Sequence, residues 1–254
     1  MPRVLDILGP KLGSAVLYGS AAVGDFHPGW SDVDTVCILV ESLTETEGCR
    51  IGRLHDEMAA LYIEGKKDGW ESGQAIEASY LPYQFLDGST EAGLFSYVAG
   101  GTTRKYGPEN PLDAFNRHSL SKTGIAIFGE KPLVRPPQTD ELLAQTRAEL
   151  DCFFSIPPEK MSGIMLAGVL AWAARTAVFW RDGVMLPKTP ALEHEIKLSR
   201  PWKEAFQLAL ELRKKGSRFA ADERPRLIPL FRQFCGPIKT EITELILSIR
   251  VYDS

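Results

Sequence analysis

The sequence predicts an α/β domain over residues 1–134 followed by an all-α helical bundle over residues 135–254. Two observations predict it. In the first half, short apolar runs of strand length alternate with amphipathic stretches of helical spacing. Beyond Lys131-Pro132-Leu133-Val134-Arg135-Pro136-Pro137, apolar residues recur at helical spacing almost throughout. That junction reads as a linker, because clustered prolines fix φ and remove backbone donors.

The elements follow in order. Residues 5–12 read as a short amphipathic lead-in, and residues 15–18 and 33–40 as strands. Residues 44–64 read as a helix. Thr44 caps it, Glu45 and Glu47 suit its positive end, and Gly65 suits its stop. Ile51, Leu54, Met58, Leu61 and Tyr62 give that helix one apolar face. Residues 74–82 read as a further strand, ended by Pro82. From 88 to 105 the chain is rich in Gly, Ser and Thr. Within it, Gly100-Gly101-Thr102-Thr103-Arg104 lacks the lysine pattern of a Walker loop and reads as a connecting loop. Helices are expected over 139–154, 159–182, 201–215 and 224–252, the last broken near Pro229 and Pro237. The bundle is expected to pack on the α/β domain with an active site in the cleft.

Composition narrows the function classes. Hydrophobic residues make up 44% and charged residues 24%, the balance of a folded globular chain. The formal net charge of −4 runs against a broad nucleic-acid surface, which is basic, so no nucleic-acid partner is expected. Cys37, Cys49, Cys152 and Cys235 are scattered without a CxxC pair. They predict buried free thiols in a reducing compartment, not a zinc site or a disulfide framework. The first residues carry an early acid, Asp6, and no signal-peptide core. No uninterrupted apolar run approaches the ~20 residues that span a bilayer. A monomeric cytoplasmic protein without a membrane partner is therefore expected.

The most informative stretch is Leu17-Tyr18-Gly19-Ser20 through Trp30-Ser31-Asp32-Val33-Asp34 and the apolar run after it. Asp32 and Asp34, two residues apart at a strand start, point to one face because strand side chains alternate. Paired carboxylate oxygens suit a hard cation such as Mg²⁺, with substrate phosphates completing its ligands. Gly19-Ser20 at a strand end can turn backbone N–H groups and a hydroxyl toward a phosphate. The joint pattern reads as a metal-and-nucleotide site.

Strand, Gly-Ser, about eleven residues, Ser-Asp-x-Asp and a second strand together resemble the signature of the nucleotidyltransferase superfamily, the polymerase-beta-like fold. The resemblance implies a mixed sheet, and a third carboxylate on a later strand. Glu77 stands there, between Ile76 and Ala78. It implies that Asp32, Asp34 and Glu77 form the catalytic and metal-binding cluster, with Glu77 either a metal ligand or the general base. Gly19, Ser20 and Ser31 are implied in nucleotide binding.

The helical half extends the resemblance to the adenylyltransferases that modify streptomycin and spectinomycin. The apolar helix of 163–181 carries Arg175, and Asp182-Gly183-Val184-Met185-Leu186-Pro187-Lys188 follows, so Arg175 and Lys188 are thirteen residues apart. In that family an arginine and a lysine at this separation contact the nucleotide phosphates. Phe128-Gly129-Glu130-Lys131-Pro132 is similar to the family's interdomain junction, and Asp113 stands upstream where the family has an acid facing the site. ATP is the implied co-substrate and Mg²⁺ the implied cofactor.

Departures fall on the acceptor side. The family's substrate-holding tryptophan has no counterpart at Gly100-Gly101-Thr102, and Met165 stands where it has an acid. A family tyrosine is replaced near Arg213-Lys214-Lys215. The expected activity is transfer of AMP to a hydroxyl of a small aminocyclitol-like acceptor, spectinomycin-type before streptomycin. The alternatives are a protein or other non-antibiotic acceptor, and a nucleotide-binding regulatory relative without catalysis. Trp30 and Trp180 are expected to pack.

Overall fold

The computed structural model describes residues 1–64, 76–87, 95–99, 102–106, 112–198, 200–216 and 218–249. The chain divides into two compact units. The first is Met1–Phe26 with Ser31–Leu142, and the second is Leu143–Ser254 with the short segment His27–Trp30.

The first unit is built on a six-stranded sheet. Its strands are β1 (Leu12–Tyr18), β2 (Val33–Leu39), β3 (Ile76–Pro82), β4 (Phe95–Ala99), β5 (Thr102–Tyr106) and β6 (Ile125–Phe128), in the order β5-β4-β3-β2-β1-β6. The sheet is mixed: β2 and β3 pair in parallel and every other pair is antiparallel. A parallel pair needs a long crossover. Here the helix Glu45–Glu64 lies in it. That helix starts in a capping box: the Thr44 N–H donates to Glu47 at 2.7 Å, and the Glu47 N–H donates back to Thr44 Oγ1 at 3.2 Å.

Strand alternation sorts the core into two layers. On one face Ala15, Cys37, Leu39, Ala78 and Tyr80 pack with Val4, Leu8, Ile51 and Leu54. On the other, Val16, Tyr18, Val36, Ile38 and Leu81 pack with Phe85, Leu86 and Leu120. The functional residues fall at the rim of this second layer.

Several elements correct the sequence reading. The amphipathic lead-in is helix α1 (Pro2–Leu8) with a 3₁₀ turn at Gly9–Lys11. The connecting loop expected around 100–104 is in part strand: β4 and β5 pair over Phe95↔Tyr106 to Ala99↔Thr102, while Gly100 and Gly101 lie outside the described residues. Backbone pairing, of β4 to β3 and of β5 to β4, makes these strands, and it leaves little apolar alternation to read. Strand β6 was not expected. In chain order, Gly19–Ala22 is α2, Glu45–Glu64 is α3 and Ala114–Thr123 is α4.

In the second unit run most of α5 (Thr139–Ser155), then α6 (Gly163–Asp182), α7 (Lys188–Lys197), α8 (Lys203–Lys215) and α9 (Arg218–Ile249). Helix α6 is long and apolar enough to cross a membrane, yet 72% of its most apolar window is buried inside the protein, so it reads as a core helix. A Cβ added to Gly163 would lie 1.8 Å from the Ala220 carbonyl oxygen, so only glycine lets α6 approach α9 there. Trp180 packs as expected, buried, its indole N–H donating to Thr146 Oγ1 at 3.0 Å. Lys188 was expected in a loop but opens α7, because Pro187 precedes the helix and Pro190 falls in its first turn, where no N–H is needed. Helix α9 was expected to break near Pro229 and Pro237 but continues through both, and through Pro225. All three prolines lie on its exposed side, where the lost N–H bond leaves a carbonyl to water. Glu195 of α7 is fully buried and pairs with Arg181, which also reaches Glu241 at 3.5 Å. Cys37 is buried as expected, but Cys49 and Cys152 are exposed.

Candidate active site

Strand register assembles the site. Tyr18, the last residue of β1, stands directly opposite Asp34 on β2, and Asp34 stands directly opposite Glu77 on β3. Residues paired across a sheet project from the same face. Tyr18, Asp34 and Glu77 therefore form one row across three strands. Asp32 lies two residues before Asp34, just ahead of β2.

Gly19 makes room for this row. Its φ is +67°, and a Cβ there would lie 2.0 Å from Asp34 Oδ2. The Asp34 carboxylate thus lies against the glycine backbone, where no side chain fits. The one-turn helix α2 follows at once. Ser20 Oγ lies 3.5 Å from the Asp32 carbonyl oxygen, and the Ser20 carbonyl accepts from the Asp25 N–H at 3.0 Å. Ser31 is buried, its hydroxyl 3.5 Å from the Asp25 carbonyl.

Electrostatics ties a fourth carboxylate to the row. Burial, together with the charges of Asp32 and Asp113, raises the Glu77 pKa to about 7. Asp113 caps α4, accepting from the Asn116 N–H at 2.7 Å. The phenol of Tyr18 is held well above its ordinary pKa by burial, then by Asp34, Glu77 and Asp113. The site is a patch of concentrated negative charge at the edge of an apolar layer.

A divalent cation fits this patch. The donors are hard carboxylate oxygens, and their mutual repulsion, visible at Glu77, is relieved by positive charge. Among the described residues no three His, Cys, Asp or Glu side chains enclose a metal by themselves. Asp32, Asp34 and Glu77 thus do not form the expected three-carboxylate metal cluster by themselves; Mg²⁺ takes one or two carboxylates together with water and substrate phosphates.

Arg175 and Lys188 belong to the second unit. Arg175 is half-buried in the middle of α6, and Lys188 is the first residue of α7. Beside Lys188, Thr189 Oγ1 lies 3.0 Å from His27 Nε2 and accepts from Arg213 Nε at 3.2 Å. Trp30 is half-buried, with its indole nitrogen buried and lacking a hydrogen-bond partner.

The family model for the nucleotidyltransferase domain matches residues 3–90, a span that holds Tyr18, Gly19, Ser20, Asp32, Asp34 and Glu77. The chain carries a nucleotidyltransferase domain. No curated protein matches the sequence. Among solved structures, the chain is similar to spectinomycin adenyltransferase AAD(9) from Enterococcus faecialis, determined with ATP and spectinomycin. The TM-score is 0.58 at 13% identity, over 98% of this chain and 96% of that one. The likeness shows a shared fold across both units, as the sequence resemblance implied.

Tyr18 is the residue of the row that sequence reading passed over. Its signal was present: it adjoins Gly19, and its phase on β1 puts it on the face of Asp34 once the β1–β2 register is known.

Proposed function

We propose that this nucleotidyltransferase transfers AMP from ATP, with Mg²⁺, to a hydroxyl of a small aminocyclitol-like acceptor and releases pyrophosphate. The observation that carries the reading is the row that sets Glu77 beside Asp34, within the field of Asp32, on a nucleotidyltransferase domain. Mg²⁺, when bound, neutralises phosphate charge and stabilises the attacking and leaving oxygens. Asp32 and Asp34 are the residues to hold it. Glu77 is the general base. A carboxylate raised to about 7 matches the operating pH better than an ordinary one, and a matched base transfers protons best. Glu77 takes the acceptor hydroxyl proton while the hydroxyl oxygen bonds the α-phosphorus. The bond from phosphorus to the pyrophosphate oxygen breaks, and its electron pair leaves with pyrophosphate. Ser20 and Ser31 contribute hydroxyls toward the nucleotide, and Arg175 and Lys188 contribute positive charge to the phosphates.

A spectinomycin-type acceptor is favoured over streptomycin. Met165 and the stretch 100–102 lack the acid and tryptophan of the aminoglycoside-holding family pattern. The solved relative named above was determined with spectinomycin. The test is AMP transfer from ATP to a panel of aminocyclitols and aminoglycosides, read by mass spectrometry. Wild-type protein is expected to add AMP to spectinomycin, and Asp32→Asn to add none while melting at an unchanged temperature. Full transfer by Asp32→Asn would remove Asp32 from the site.

A further inference from the structure

We propose that the cleft between α1 and α3 binds a small phosphate-bearing anion of pyrophosphate size, at a site separate from the catalytic row. Helical spacing builds the cleft. Arg3, Asp6 and Ile7 share one face of α1, and Arg50, Arg53, Leu54 and Glu57 share one face of α3. The two faces line a cleft of about 280 Å³. Leu54, 3% exposed, and the half-buried Ile7 give it an apolar base, and its arginines are exposed. Leu54 belongs to the core layer across the sheet from the one that holds Tyr18 and borders the catalytic row.

Charge in the cleft is unbalanced. The acids on this face of α3 and one turn before it are engaged elsewhere: Glu57 pairs with Arg3, and Glu47 pairs with Lys11 at 2.8 Å. Asp6 meets Arg50 through its backbone carbonyl, at 3.4 Å, and not through its carboxylate. Among the described residues Arg50 and Arg53 form no ion pair, although they stand three residues apart, where like charges repel. Three guanidinium groups against two carboxylates leave a positive cleft on a chain of formal charge −4. A guanidinium donates in a planar fork that matches phosphate oxygens. Two forks on neighbouring turns offer more donors than one carboxylate can accept, and two linked phosphoryl groups supply the acceptors. The volume lies just below the usual range of ligand pockets, which keeps the ligand small.

The experiment is calorimetric titration of the full chain with pyrophosphate in EDTA. Without a divalent cation, the carboxylates of the catalytic row repel pyrophosphate. The unsubstituted protein and Lys188→Ala are expected to bind it equally. Arg50→Gln/Arg53→Gln is expected to bind about tenfold more weakly or worse, having lost two charge-assisted contacts. Arg226→Gln/Arg232→Gln removes the same charge from exposed positions on α9 and is expected to match the unsubstituted protein. Equal affinity in the Arg50/Arg53 variant, or an equal loss in the Arg226/Arg232 variant, overturns the proposal, as does no binding by the unsubstituted protein. Loss in Lys188→Ala alone would move the anion to α7, overturning this site and leaving the proposed reaction standing. Should the double variant fold poorly, Arg53→Gln alone decides: it is expected to weaken binding about threefold or more, and an unchanged affinity overturns the site.

Discussion

Gly19 shows how much one missing carbon decides. Its positive φ and the 2.0 Å gap to Asp34 Oδ2 both exclude a side chain. Gly19→Ala is expected to displace the Asp34 carboxylate and to cut turnover at least a hundredfold, while the melting temperature falls by only a few degrees. Turnover within threefold of wild type would show that Asp34 need not lie against residue 19. At this scale the sequence was informative where chemistry is local. Gly19-Ser20 and Asp32-x-Asp34 are contiguous motifs, and each sits at a strand end, as spacing required. Tyr18 was illegible because its place in the row depends on the register of β1 against β2, which no short motif encodes.

Elements were legible when their own side chains explain them. Helix α3 begins at its Thr44–Glu47 capping box and α6 at its Ser162 cap, whose hydroxyl accepts from the Met165 N–H at 3.2 Å. Strands β4 and β5 were not legible, because their pairing partners explain them better than their composition does. The exposed prolines of α9 misled for a related reason. A proline breaks a helix when its neighbours need the missing bond, and a solvent-facing one needs it least. Helix α7 buries a charge beside its apolar residues Ala191 and Leu192. Glu195 is fully buried against Arg181, with one carboxylate oxygen lacking a hydrogen-bond partner. Glu195→Ala strips Arg181 of its buried partner and is expected to lower stability by about 3 kcal/mol, in the range for breaking a buried pair. Urea unfolding measures it, and a loss below about 1 kcal/mol would mean Asp182 and Glu241 suffice for Arg181.

For the molecule as a whole, pH acts through a histidine far from any motif. His55 is 4% exposed, and burial lowers its pKa from 6.5 to about 4. Between those values the unfolded chain binds a proton that the native one refuses. Stability is therefore complete above about 6.5 and falls as pH drops toward 4, where the loss levels off. Denaturant midpoints at pH 7 and pH 5 should differ, and His55→Gln should shrink that difference. An equal difference in the variant would assign the acid sensitivity to other groups. The division into α/β and helical halves was read from periodicity and from the proline-rich junction at 131–137. The inclusion of His27–Trp30 in the second unit was not, because it depends on contacts far apart in sequence, such as that of His27 with Thr189. The parallel pairing of β2 with β3 also sets the order in which the site is made. Tyr18 and Asp34 meet across neighbouring strands near in sequence. Thr35 and Glu77, hydrogen-bonded across the parallel pair, are 42 residues apart. Closing so long a loop is entropically slow. The glutamate thus arrives at a half-built row, and the rate at which the catalytic face is completed is the rate of the parallel β2–β3 pairing.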